Sequence, residues 1–119
     1  MLLAEMYLLA KKYGRKDAAT TYWSQCSNTL GYEPFTDENL AGVAALCGPD
    51  SSRYVDTPLP NTAFESVCSN IQYTDDRERE ALKNKLKEGS IFNATFLRRF
   101  AVEMLDSFLM VYDGKSPPS

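Results

Sequence analysis

The sequence predicts an all-α fold, a small bundle of about five to six helices without a substantial sheet. Three observations predict it. Apolar residues recur at three- and four-residue spacing along most of the chain. Glycines and capping residues (Thr, Asp, Asn) punctuate these periodic segments where helices begin and end. No segment sustains an alternation of two with β-branched residues and hairpin turns.

The first helix is expected over Met1 to Tyr13, where leucines, methionines and alanines are helically spaced and Gly14 supplies a left-handed cap. Asp17 can cap a second helix whose Ala18, Tyr22, Cys26 and Leu30 fall on one face, with Gly31 as its stop. A third, short helix follows Thr36. The threonine can accept from the first-turn amides, Asp37 and Glu38 suit the positive helix end, Phe35 can staple onto Leu40, and Gly48 closes the helix. The polar, proline-containing stretch "PDSSRYVDTPLP" is expected to be a mobile surface loop. From Asn61, Phe64, Val67, Cys68 and Ile71 share the face of a fourth helix. A fifth, capped by Thr74, carries early acids, late lysines and a thin stripe of Ala81, Leu82 and Leu86, so it should be largely exposed. The sixth, about Ala94 to Val111, has Asn93 as cap and a Phe92 to Leu97 staple. Phe96, Leu97, Phe100, Ala101, Met104, Leu105 and Phe108 make it the expected central core helix.

At 119 residues, with 44% hydrophobic and 24% charged, the chain has the balance of one ordinary globular domain. That domain is expected over residues 1–113, with Gly114 to Ser119 a disordered tail. A net charge of −3 provides no basic field for a phosphate backbone, so no nucleic-acid partner is expected. The Lys11, Lys12, Arg15, Lys16 cluster reads as solvated charge complementing a helix end. Three cysteines, Cys26, Cys47 and Cys68, without a C-x-x-C pair indicate free buried thiols and a reducing compartment, the cytoplasm or nucleus. The apolar N-terminus lacks a basic n-region and is too short to span a bilayer, so no membrane association is expected. The sequon at Asn93 then reads as accidental.

No catalytic pattern emerges. Histidine is absent, which removes the commonest general base and metal ligand together. The acids Asp75, Asp76, Glu78 and Glu80 are interleaved with Arg77, Arg79, Lys83, Lys85 and Lys87, a pattern explained by ion pairing along an exposed helix. Phosphate-cradling and nucleophile-elbow motifs are missing, and the cysteines lack metal-ligand spacing. No enzymatic activity, metal or cofactor is therefore expected. What stands out is apolar surface: Leu2, Leu3, Met6 and Leu9 on the first helix, and the widening stripe through Leu109 and Met110 on the sixth. These six residues are the candidate face for another protein or a second copy, with the first helix expected to pack partly on the sixth. An alternative is a small binding protein enclosing an apolar ligand between Trp23, Phe96, Phe100 and Met104.

The segment "AEMYLLAKKYGRKDAATTYWSQC" resembles the part of fungal BTB/POZ-domain proteins in which a helix reading "Y-x-L-A-[DK]-K-Y" precedes a second helix. Tyr7, Leu9, Ala10, Lys12, Tyr13 and Gly14 carry the likeness. "FTDENLAGVAALC", "PLPNTAFESVCSNI" and "IFNATFLRRFAVEML" resemble, in order, later helices of that family. The family's sheet and dimerising helices lie upstream of the matching region, so the chain is expected to be either a truncated domain or a stand-alone helical relative, and the family's dimer interface does not carry over. The resemblance implies a non-catalytic adaptor or assembly role.

Overall fold

The computed structural model describes residues 2–32 and 35–112, and for 31, 32 and 110–112 the backbone alone. The expected tail after Gly114 lies outside them. Among the described residues there are six α-helices and no strand: α1 Leu2–Lys12, α2 Lys16–Tyr32, α3 Asp37–Cys47, α4 Leu59–Asn70, α5 Asp76–Glu88 and α6 Ala94–Tyr112. Short 3₁₀ turns occupy Ser52–Tyr54 and Ile71–Tyr73. The all-α expectation holds.

The helices end largely where local chemistry stops them. Gly14, at φ 70°, ends α1 in a Schellman turn, with the Arg15 amide donating to the Ala10 carbonyl at 2.8 Å and Gly14 to Lys11 at 3.2 Å. The turn folds α2 back onto α1. Ala4, Tyr7 and Ala10 form the buried face of α1; the two alanines let it approach α2, whose Ala19, Cys26 and Leu30 are buried. Thr36 caps α3 as expected, accepting from the Asn39 amide, and Asn93 caps α6 by accepting from Phe96 at 3.0 Å. On α5 the cap is shifted by one residue. Asp75 accepts from Glu78, while the Thr74 hydroxyl donates backward to Ile71 and is buried. Gly31 does not stop α2, which continues through Tyr32.

The core centres on α3, which corrects the assignment of that place to the sixth helix. Leu40, Val43, Leu46 and Cys47 are fully buried, and Asn39 and Gly42 are buried beside them. Small residues on a helix that is apolar on several sides allow neighbours to pack closely around it. The packing partner of α3 is chiefly α4, whose Leu59, Ala63, Phe64 and Val67 are buried. α6 instead lies at the edge and takes its main packing from α4. Phe100 is buried, and Phe96 and Met104 are partly so. From Ala101 to Leu109 every other side chain of α6 is exposed. The Phe92 ring packs tilted against Phe64 and Phe100 at 5.9 and 5.4 Å between centroids, and Leu97 is 44% exposed. The molecule is accordingly elongated, 51 × 29 × 24 Å with a radius of gyration of 15.4 Å, against about 13.5 Å for a round domain of this length.

The stretch after α3 is not a loose loop. Tyr54 is buried and its hydroxyl donates to Glu5 at 2.9 Å, while Arg53 grips the same carboxylate with both terminal guanidinium nitrogens. Ser51 is also buried and donates to the Gly48 carbonyl. This segment therefore fastens α1 to the body. α5 is exposed as expected, with Leu82 its buried residue and Gly89 a left-handed cap at φ 70°.

Candidate functional site

The outer face of α6 is built from a regular spacing. Arg98, Val102, Leu105 and Leu109 follow one another at four, three and four residues, the alternating spacing of a heptad seam between helices. Phe100 lies on roughly the opposite side of the helix, as the α-helical turn angle requires, and it is the residue that packs inward. One arc of α6 thus seats on α4 and the other presents a seam to water. Val102 is 57% exposed, Leu105 56% and Leu109 47%, with Leu97 and Ala101 exposed on the flank. Charges segregate along the helix: Arg98 and Arg99 lie in its first half, Glu103 and Asp106 in its second.

The inner arc is held firmly. Phe64, Phe92, Phe96 and Phe100 form a chain of tilted rings with centroids 5.4–5.9 Å apart. The Arg99 guanidinium lies 4.3 Å from the Phe64 ring centroid and donates to Asn61 on α4 at 2.9 Å. The Asn93 amide donates to the Cys47 carbonyl at 2.6 Å, tying the start of α6 to the end of α3.

The residues singled out on the first helix are in a separate place. Leu2 and Leu9 are exposed, 76% and 50%, and with half-buried Met6 they form a stripe at i, i+4, i+7. Leu3 is half-buried against the core and, with Leu2, borders a shallow groove walled by Thr29, Glu38, Ala41 and Gly42. α1 takes its main packing from α2, not from the sixth helix as expected. Leu109 belongs to the α6 seam, and the side chain of Met110 lies outside the described residues. Arg98, Val102 and Leu105 were missing from the sequence-derived face. Their heptad spacing was readable, but the choice between inner and outer arc was not.

Of the four residues expected to enclose a ligand, Phe96, Phe100 and Met104 lie at four-residue spacing on the inner arc of α6, whereas Trp23 is on α2. Trp23 borders a groove with Tyr7, Lys11, Lys16, Ala19, Thr20 and Pro58, and its ring N–H donates to the Thr62 hydroxyl at 3.1 Å. Phe96 lines a different depression, with Leu46, Val55, Pro60 and Thr95. Phe100 is enclosed in the ring cluster.

The thiols sit in surroundings that suppress ionisation. Burial pushes Cys26 to about 11 and Cys47 to about 12, and Cys68, half-buried, to about 11. Cys47 also donates to the Pro60 carbonyl at 3.1 Å. A thiolate nucleophile is disfavoured at all three. Glu5 shifts the other way: the Tyr54 hydroxyl and then the Arg53 guanidinium hold its carboxyl below the usual range. Tyr54 itself is raised to about 12 by burial and by donating to Glu5. These three residues form a structural clasp.

Among the described residues no group of His, Cys, Asp and Glu is placed to hold a metal ion, and no helix is long and apolar enough to cross a membrane. Comparison with protein-family models, curated proteins and solved structures found no match to the chain.

Proposed function

We propose that the chain is a non-catalytic protein–protein interaction module, of the adaptor or assembly type to which the BTB-like segments point, working in the cytoplasm or nucleus. One observation carries this reading: α6 exposes Val102, Leu105 and Leu109 in register along one arc, while its first turns are anchored to the body. Fully burying an exposed side chain of this size contributes roughly 1.5–3 kcal/mol. These three are about half exposed, so each has about half of that to gain from a partner. A seam at helix–helix spacing is suited to an opposing helix rather than to a small ligand. The suppressed thiols and the absence of histidine favour binding over catalysis. The Leu2–Met6–Leu9 stripe on α1 is a second, smaller contact surface.

The test is affinity capture on the full chain beside a Leu105→Asp/Leu109→Asp variant with a matched circular-dichroism melt. The expected result is a bound protein, the chain itself included, that the wild type retains and the variant loses. Retention unaffected by the variant, or no retained protein at all, overturns the reading.

A further inference from the structure

The α6 seam also carries information about its occupant, and we infer that it is a second copy of this chain, docked with its α6 antiparallel. This deepens the interaction reading above and rests on it.

The first argument is the charge order. Set two α6 helices antiparallel with Val102 of each against Leu105 of the other, and Arg98 falls level with Leu109 of the second copy, within one turn of its Asp106. The symmetry repeats the contact, so both arginines meet an acidic end. In a parallel pair Arg98 would face Arg98 and Asp106 would face Asp106, and like charges across a seam are destabilising. Arg98 is available for this role because its neighbour Arg99 is the one engaged with Asn61 and Phe64.

The second argument is the match of seam to symmetry. Val102 and Leu105 straddle the midpoint of the exposed stripe, with Arg98 and Leu109 at its ends. A two-fold axis through that midpoint makes the face self-complementary, as a symmetric dimer demands. Phe100 stays on the far side and keeps each helix on its own body.

The third argument is the continuity of the apolar surface. Leu97, Val102, Leu105 and Leu109 are 44–57% exposed and lie along one helix, so the face is a single stripe rather than scattered residues. A stripe on one helix is small for a specific interface, so the dimer is weak and reversible.

Light scattering and sedimentation equilibrium on the pure full chain test the inference. The expected result is a mass that rises with concentration from 13.4 kDa toward twice that value. Leu105→Asp, or Val102→Asp should the first variant misfold, abolishes the rise. Arg98→Glu or Asp106→Arg alone weakens the dimer about tenfold, and the Arg98→Glu/Asp106→Arg double variant recovers it. A strictly monomeric protein, a dimer indifferent to Leu105 and Val102, or a charge swap that fails to recover overturns the antiparallel pair. If the pure chain is monomeric while capture of another protein still depends on Leu105 and Leu109, the second-copy inference falls and the interaction reading stands. If neither occurs, both fall.

Discussion

Replacing Phe64 by alanine should be among the most damaging single changes in this protein, and its size follows from the contacts of one ring. Phe64 is 2% exposed, stacks on Phe92 and Phe96, and carries the Arg99 guanidinium over its face. Truncating a buried Phe costs about 3–5 kcal/mol through lost transfer energy and the cavity left behind. The aromatic pairs contribute about 0.5–1.5 kcal/mol each, which places this site toward the upper end of that range. Against a total stability of about 5–15 kcal/mol for a domain, the loss is large. Leu105→Ala, on the outer arc of the same helix system, should cost within about 0.5 kcal/mol. Urea unfolding followed by far-ultraviolet circular dichroism, at a concentration low enough to keep the chain monomeric, measures both. Equal costs for the two substitutions would refute the division of α6 into seated and open arcs.

Further outcomes can be checked on the same protein. In the native state, a thiol reagent at neutral pH should label Cys68 first and leave Cys26 and Cys47 protected until denaturant is added; rapid native labelling of Cys47 would contradict its burial. Stability should fall at alkaline pH. Cys26, Cys47 and Cys68 keep their protons to about 11–12 when folded, against 9.0 for an ordinary thiol, so the unfolded chain binds fewer protons across that interval. Melting temperature should therefore be insensitive to these groups below about pH 9 and decline above it, less steeply in Cys47→Ala. Gly48→Ala should destabilise by about 1–3 kcal/mol, because a Cβ there would strike the Ala44 carbonyl oxygen and approach that of Ser90 at 2.9 Å. Gly14→Ala, with open space around it but φ +70, should lose about 1–2 kcal/mol from backbone strain alone; thermal melts of both variants decide the matter.

Local chemistry was the legible part of this sequence. Gly14, Thr36, Gly48 and Asn93 mark helix ends through interactions that span only a few residues, and a reader of the chain can find them. The cap of α5 was misplaced by one position because Thr74 and Asp75 are both good candidates. Asp75 makes the cap while Thr74 closes the preceding 3₁₀ turn. The core was less legible. Helix six carries four large aromatic residues, Phe96, Phe100, Phe108 and Tyr112, whereas α3 is short and rich in alanine and glycine, so size alone argues for the wrong centre. Small residues let a helix be surrounded, and that advantage depends on neighbours the periodicity does not specify. Tyr54 escaped notice for a similar reason. Its polar, proline-flanked context reads as surface, and only the arrival of Glu5 from 49 residues away explains its burial.

For the candidate face, the amphipathic stripe was visible but its direction was not. The sequence marks Leu109 as surplus, whereas it places Leu105 in the expected core stripe and leaves Val102 unassigned. Arg98 and Asp106 gain meaning only once the inner arc is fixed by Phe100.

The bond from Asn93 to Cys47, together with the phenylalanine cluster, fastens only the beginning of α6. Amide protons along this one helix should consequently exchange in two regimes. Those near Phe96 and Phe100 are shielded by packing and exchange only when the whole bundle opens. Those beyond Leu105 can exchange through fraying of the terminal turns, at a fraction of that free energy. Occupation of the outer arc would slow the second set and leave the first nearly unchanged. Residue-resolved deuterium uptake therefore offers a built-in reference, because one end of the helix reports global stability while the other reports binding.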